Sequence, residues 1–180
     1  MTSTTFSDQP GRAQPLDQHD PLGLTPVKED KRQQFLSFQL FKDKGFLLPL
    51  ADILEVLQIV PTEILPIPDM SDSVLGICSW RGENLWIVDL NVLMGNLSLS
   101  AQNPLQDQFS IIVVQSDAAA VGLAVNQIDD VDLVEPSQLQ EQDELCSTML
   151  APFVKGYLPN HNGIVLEVSA IIRRLQGDSD

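Results

Sequence analysis

Phe35-Leu36-Ser37-Phe38, Leu48-Pro49-Leu50 and Ile53-Leu54-Glu55-Val56 return 75 residues later as Ser110-Ile111-Ile112-Val113, Leu123-Ala124-Val125 and Ile128-Asp129-Asp130-Val131. Pro61 falls on Pro136 in the same register. Val74-Leu75-Gly76 then resembles Val154-Lys155-Gly156, and after a two-residue shortening Ile87-Val88-Asp89-Leu90 resembles Val165-Leu166-Glu167-Val168. A repeat of this length predicts two similar supersecondary units related by pseudo-symmetry, with a groove between them. It points to binding before catalysis.

Each copy reads as short strands. Phe35 to Leu40 mixes apolar and polar positions over a strand's length, Lys42-Asp43-Lys44-Gly45 is turn chemistry, and Phe46 to Leu50 returns. Pro49 lacks a ladder donor, which argues for an edge strand or a bulge. Ile53 to Ile59 fits a strand or a short helix, and its β-branched repeat partner Ile128 to Val134 favours strand. Pro61 to Met70 is an extended connection, Val74 to Ser79 a strand and Arg81 to Asn84 a turn. Leu85-Trp86-Ile87-Val88 is a continuous apolar strand expected to be buried on both faces, with Trp86 in the core. Asp89 to Gly95 closes the first copy with a helical turn ended by glycine.

The second copy follows the same plan from Ile111 through Val125, turning at Asp117 to Ala120. Loop and helix are equally open for Ser137 to Leu150. Phe153 to Val168 repeats the strand-turn-strand unit around Asn160-His161-Asn162-Gly163, and Ser169 to Leu175 reads as a closing helix with basic residues in its last turn. The expectation is a mainly β protein of four or five short strands per half. Small closed or nearly closed barrels are the architecture that hides edges with so few strands. Residues 1–32, with four prolines and no hydrophobic period, read as a disordered tail. Subdomain 1 is expected over about 33–95, a polar linker over about 96–108 and subdomain 2 over about 109–176.

Bulk properties exclude several functions. Ten Lys and Arg against 25 Asp and Glu give a formal charge of −15, which cannot neutralise a run of phosphates, so nucleic acid and anionic membrane are disfavoured. No signal peptide and no stretch long enough to span a bilayer is present, so a soluble, cytoplasmic protein is expected. Cys78 and Cys146 lack metal-ligand spacing and read as small apolar fillers. There is no phosphate loop, metal motif or calcium loop, so no cofactor and no metal is expected. His161 sits in a turn, His19 in the tail, and the acid pairs Asp129-Asp130 and Asp143-Glu144 read as solvated surface, so no enzymatic activity is expected.

Trp80-Arg81-Gly82 stands out. Arg-Gly alone is ordinary turn chemistry, but Trp and Arg are the residues most enriched at binding hot spots, and a Trp beside a turn is hard to bury. Glu55, a lone carboxylate among Ile53, Leu54, Val56 and Leu57, needs a partner, and Arg81 is one of few candidates.

The run Phe35-Leu36-Ser37-Phe38, Leu48 through Val56, Gly76-Ile77-Cys78-Ser79-Trp80-Arg81-Gly82 and Ile87-Val88-Asp89-Leu90 resembles the CheW-like chemotaxis coupling proteins. The likeness continues through Val121 to Val125, Asp129-Asp130-Val131 and Lys155-Gly156, so it spans roughly 33 to 175. It implies two SH3-like five-stranded β-barrel subdomains without catalytic activity. It also implies a scaffold joining the regulatory domain of a CheA-type histidine kinase to the cytoplasmic tip of a chemoreceptor. By position, the resemblance places Ile53 and Gly76 on or behind the kinase-facing side, and Glu55, Trp80 and Arg81 at the receptor groove. The family usually carries Asn-Leu before Arg-Gly where this chain has Ser79-Trp80, which suggests a specialised branch such as type IV pilus motility or phototaxis. Two other classes remain as alternatives: a β-barrel module binding a small ligand in an apolar cavity, and a hydrolase using Asp129-Asp130.

Overall fold

The computed structural model describes residues 31–41, 44–116, 119–141 and 149–177. The disordered-tail expectation (apart from its last two residues), Cys146, His19, Asp143-Glu144, Asp117 and residues 142–148 of the 137–150 stretch lie outside the described residues. Ten strands follow in order: β1 Gln33–Phe41, β2 Lys44–Pro49, β3 Ile53–Ile59, β4 Val74–Trp80, β5 Glu83–Asp89, β6 Phe109–Ser116, β7 Ala119–Val125, β8 Gln127–Val134, β9 Val154–Leu158 and β10 Gly163–Leu166. Short helices α1 (Leu90–Leu93) and α2 (Leu99–Gln102) follow β5, and α3 (Val168–Gly177) ends the fold. The protein is mainly β, with two five-stranded sheets and a short C-terminal helix.

The sheets do not follow the sequence halves. Sheet A runs β8-β1-β2-β10-β9 and sheet B runs β3-β6-β7-β5-β4, so each draws strands from both sides of the 96–108 segment. Replacing each strand by its repeat equivalent five places along converts one order into the other. The pseudo-symmetry predicted from the repeat is therefore present, but as an exchange: the chain leaves sheet A after β2 through the 3-10 turn Leu50–Asp52, and β3 pairs with β6. A division at 96–108 separates repeat copies, and a division by sheet cuts each copy after its second strand. The 96–108 segment also carries α2, whose Leu99 is fully buried.

Each sheet curls until its edges meet. Leu65, in the chain that follows edge strand β3, bridges to Ile77 on the opposite edge strand β4. Gln140, which follows edge strand β8, bridges to Tyr157 on β9 in the same way. Alternation then creates three cores. Ile111 and Val113 of β6 point inside the sheet B barrel with Ile59, Leu85, Ile87 and Phe109. Phe35, Leu47, Leu158 and Val165 fill the sheet A barrel. The remaining faces, including Phe38, Leu48, Ile112 and Leu123, pack between the barrels with Ile171 and Ile172 of α3. Central strands are thus buried on both faces, which explains runs such as Ile111 to Val114 without a polar interruption.

Two expectations are corrected. Trp86 is not core: it alternates with Leu85 and Ile87, points out of the barrel, and lies past the layer that covers Val88, leaving it 40% exposed. Pro49 is not on an edge, because β2 is the central strand of sheet A. It is the last residue of β2, beyond Gly45–Leu47 where β10 pairs, so no donor is missed on that side. No helix among the described residues is long and apolar enough to cross a membrane.

Candidate functional site

The five residues singled out by resemblance all fall on sheet B's two edge strands or the turn that follows β4. Ile53 and Glu55 lie on β3; Gly76 and Trp80 lie on β4, and Arg81 begins the tight turn into β5. On β3 the odd residues face inward and the even ones outward: Ile53, Glu55 and Leu57 are half-buried, Ile59 is buried, and Leu54 and Val56 are exposed. A register shift between Ile53 and Glu55 marks a bulge opposite β6, which increases local twist where the chain enters the sheet.

Glu55 meets both of its neighbours across the barrel seam. Its Oε2 accepts a hydrogen bond from Trp80 Nε1 at 2.9 Å and another from Arg81 Nη2 at 2.9 Å. The guanidinium carbon of Arg81 lies 4.7 Å from the centre of the Trp80 ring. The Glu55–Arg81 pair expected from composition is present, with Trp80 as its third member. Arg81 adopts φ 51°, which turns its side chain back over the indole, and Gly82 completes the turn at φ 83°. Such stacking fixes the plane of the guanidinium and leaves its other N–H groups for a partner, at a cation–π gain of roughly 0.5–1 kcal/mol at an exposed site. The Arg81 side chain is 61% exposed.

Ile53 and Gly76 have different roles from those three. Ile53 packs against the core between the barrels. Gly76 is buried at φ 141°, and a Cβ there would overlap the Leu65 carbonyl that closes the barrel. Its repeat equivalent Gly156 has the same task, since a Cβ would stand 2.6 Å from the Gln140 carbonyl oxygen. Leu54 and Val56, the neighbours of Ile53 and Glu55, are exposed apolar residues that sequence reading did not single out. The period-2 pattern of β3 was the signal, once Glu55 is known to point inward.

The polar centre of the molecule is at Asp89, which is fully buried. Its Oδ1 accepts from the Asn91 and Val92 backbone at 3.0 and 3.4 Å, and its Oδ2 from the Leu99 backbone at 2.8 Å, so one carboxylate caps α1 and anchors α2. Burial raises its pKa against these hydrogen bonds, which lower it. Burial, with the Glu63 charge second, also raises the Cys78 thiol. Among the described residues no group of three His, Cys, Asp or Glu side chains is placed to hold a metal ion. Asp129 accepts from the amides of Gln39 and Gln127, and Asp130 beside it is exposed.

Three surface clefts accompany these features. One of about 480 Å³ borders the seam at Ile59, Leu65, Ile77 and Cys78. A polar one of about 450 Å³ lies among Asp52, Gln115, Lys155 and Glu167. An apolar groove of about 290 Å³ runs between sheet B and α3, lined by Trp86, Val88, Val121, Ile172 and Leu175.

The chain is 31% identical over 97 residues to a chemotaxis protein CheW from Rhizobium meliloti (strain 1021), a match that takes in 54% of this chain and 60% of that protein's length. Its fold is similar to the crystal structure of the scaffolding protein TtCheW from Thermoanaerobacter tengcongensis, with a TM-score of 0.66, 21% identity, and coverage of 76% of this chain and 90% of that one. Residues 34–176 match the CheW-like domain, so this chain belongs to the CheW-like domain family.

Proposed function

We propose that the protein is a non-catalytic adaptor of chemotaxis-type signalling that couples a chemoreceptor tip to the regulatory domain of a CheA-type histidine kinase in the cytoplasm. The observation that carries this reading is the exchanged pair of barrels around one shared core. A coupling protein must offer two surfaces on one rigid body, so that the state of one partner biases the other through differential contacts. Strand exchange makes the barrels inseparable without unfolding both. The filled barrel interiors weaken the small-ligand alternative, because they hold side chains where a ligand would sit.

We place the kinase on the outer face of β3, where Leu54 and Val56 are exposed, with Ile53 and Gly76 holding that face in shape from behind. Glu55, Trp80 and Arg81 present the receptor-facing surface. Trp80, standing where the family usually has leucine, supports assignment to a pilus-motility or phototaxis branch. Calorimetric titration of the full chain with the regulatory domain of a CheA-type kinase from the same cell tests this. Val56→Asp is the informative variant, because Val56 is exposed and its replacement is expected to leave the fold intact, as a thermal melt checks, whereas Ile53→Asp also disturbs the core. Loss of kinase binding in Val56→Asp, with receptor binding kept, supports the assignment; unchanged kinase affinity moves the kinase face elsewhere. Arg81→Glu is expected to show the opposite pattern.

A further inference from the structure

We propose that the free edge of β8 is a second docking site, which takes an extended basic segment of a partner protein as an added strand of sheet A. The proposal rests on the adaptor reading above and names the chemistry of a further partner.

β8 ends sheet A, and among the described residues only β1 pairs with it. Among the described residues the backbone on its other side has no strand partner until the chain reaches Gln140, where the sheet closes onto β9. Natural edges are blunted by charged residues, Pro or bulges. Gln127–Val134 has a bulge against β1 and three Asp but no Lys or Pro, so its guard is acidic and turns away strands that are neutral or acidic. Val131 and Leu133 are each 46% exposed on it, offering alternate apolar contacts of the kind that strand addition uses.

Charge selects the occupant. Asp129 and Asp130 are exposed and Asp132 is half-buried. No Lys or Arg occurs from Gly82 through Val154, so none of β5 to β8 supplies a compensating cation. Lys31 and Arg32 enter at the far end of the strand, where Gln33 stands opposite Val134. The side-chain partners of Asp129 are the neutral amides of Gln39 and Gln127. The repeat-equivalent edge β3 differs: Leu54 stands where β8 has Asp129, and Glu55, in place of Asp130, is neutralised by Arg81. One fold position thus carries two electrostatic characters. Like charges facing each other across a strand pair are unfavourable, so a second copy of β8 is rejected, and a strand with Lys or Arg at alternate positions is favoured at β8 over β3.

The test is titration of the isotope-labelled full chain with a capped peptide alternating lysine and valine over seven residues, followed by amide chemical shifts at physiological salt. Shifts confined to Gln127–Val134 are expected. Affinity should fall about tenfold or more in the combined Asp129→Asn, Asp130→Asn, Asp132→Asn variant, whose thermal melt checks that the fold is kept. A glutamate-valine peptide should not bind. Absence of saturable binding, shifts centred on β3, shifts spread over the whole acidic surface, or equal affinity for the variant would each overturn the proposal. These failures would leave kinase binding through Val56 untouched, so the two readings fail separately.

Discussion

Glu55 and Trp80 stand on opposite edge strands of one sheet, and a 2.9 Å hydrogen bond from the indole N–H to the carboxylate joins those edges. The barrel of sheet B is fastened at one point by this bond and the Arg81 contact on the same oxygen, and at another by the backbone bridge of Leu65 to Ile77. A residue expected to bind a partner is therefore also a clasp, and the two roles predict different outcomes.

As a clasp, Glu55 should couple to Trp80. Glu55→Ala is expected to cost about 1–2 kcal/mol, the lower part of the range for charged hydrogen bonds because the site is part-exposed. In a double-mutant cycle with Trp80→Phe, measured by urea unfolding, a coupling of roughly 0.5–1 kcal/mol is expected. Strictly additive effects would show that the contact carries no stability.

Gly76 and Gly82 both have positive φ but differ in surroundings. Gly76→Ala drives a Cβ into the Leu65 backbone and is expected to cost more than about 3 kcal/mol or to prevent folding, whereas Gly82, with open space around it, should lose only about 1 kcal/mol to backbone strain. Equal midpoints in thermal melts of the two variants would contradict the close approach at the seam.

Asp89 gives a pH signature. Its folded pKa lies above the unfolded value near 3.8 because burial penalises the charge. Its contribution to stability is therefore fully present below the unfolded pKa and declines as pH rises through the folded one. Chemical unfolding of wild type against Asp89→Asn across acidic pH should show the wild type losing ground over that window and then running level. Asp89→Ala should cost about 2–3 kcal/mol below that window and less above it, since three backbone N–H groups lose their acceptor while the wild type carries the penalty of the buried charge only once it ionises. A pH-independent difference between wild type and Asp89→Asn would refute the raised pKa.

Trp86 should behave as a surface residue. Trp86→Ala is expected to cost about 1 kcal/mol, not the roughly 3–5 kcal/mol of a buried aromatic. Iodide should quench Trp86 more than Trp80, measured in the two single-Trp variants. Cys78, buried with its thiol pKa raised, should react with a thiol reagent only on unfolding.

The amino-acid order determined a great deal about this protein. Turn residues and alternation located the strands, the 75-residue repeat announced two equivalent units, and the isolated carboxylate of Glu55 pointed to Arg81 as one of few candidate partners. These are local or compositional signals: side-chain period follows from the pleat, and a half-buried charge demands a counter-charge. Tertiary structure alone decided which copies pair. A repeat says that β3 and β8 are alike, but backbone hydrogen bonds do not read side chains, so β3 could have joined either sheet with the same pattern of apolar faces. The same limit hid Trp86, whose apolar neighbours suggested core while the edge of the inter-barrel layer left it exposed. It also hid the task of Gly76, because the Leu65 segment that crosses it comes from the connection after the opposite edge strand. Periodicity fixes which face a residue takes; only the assembled sheets fix what stands opposite.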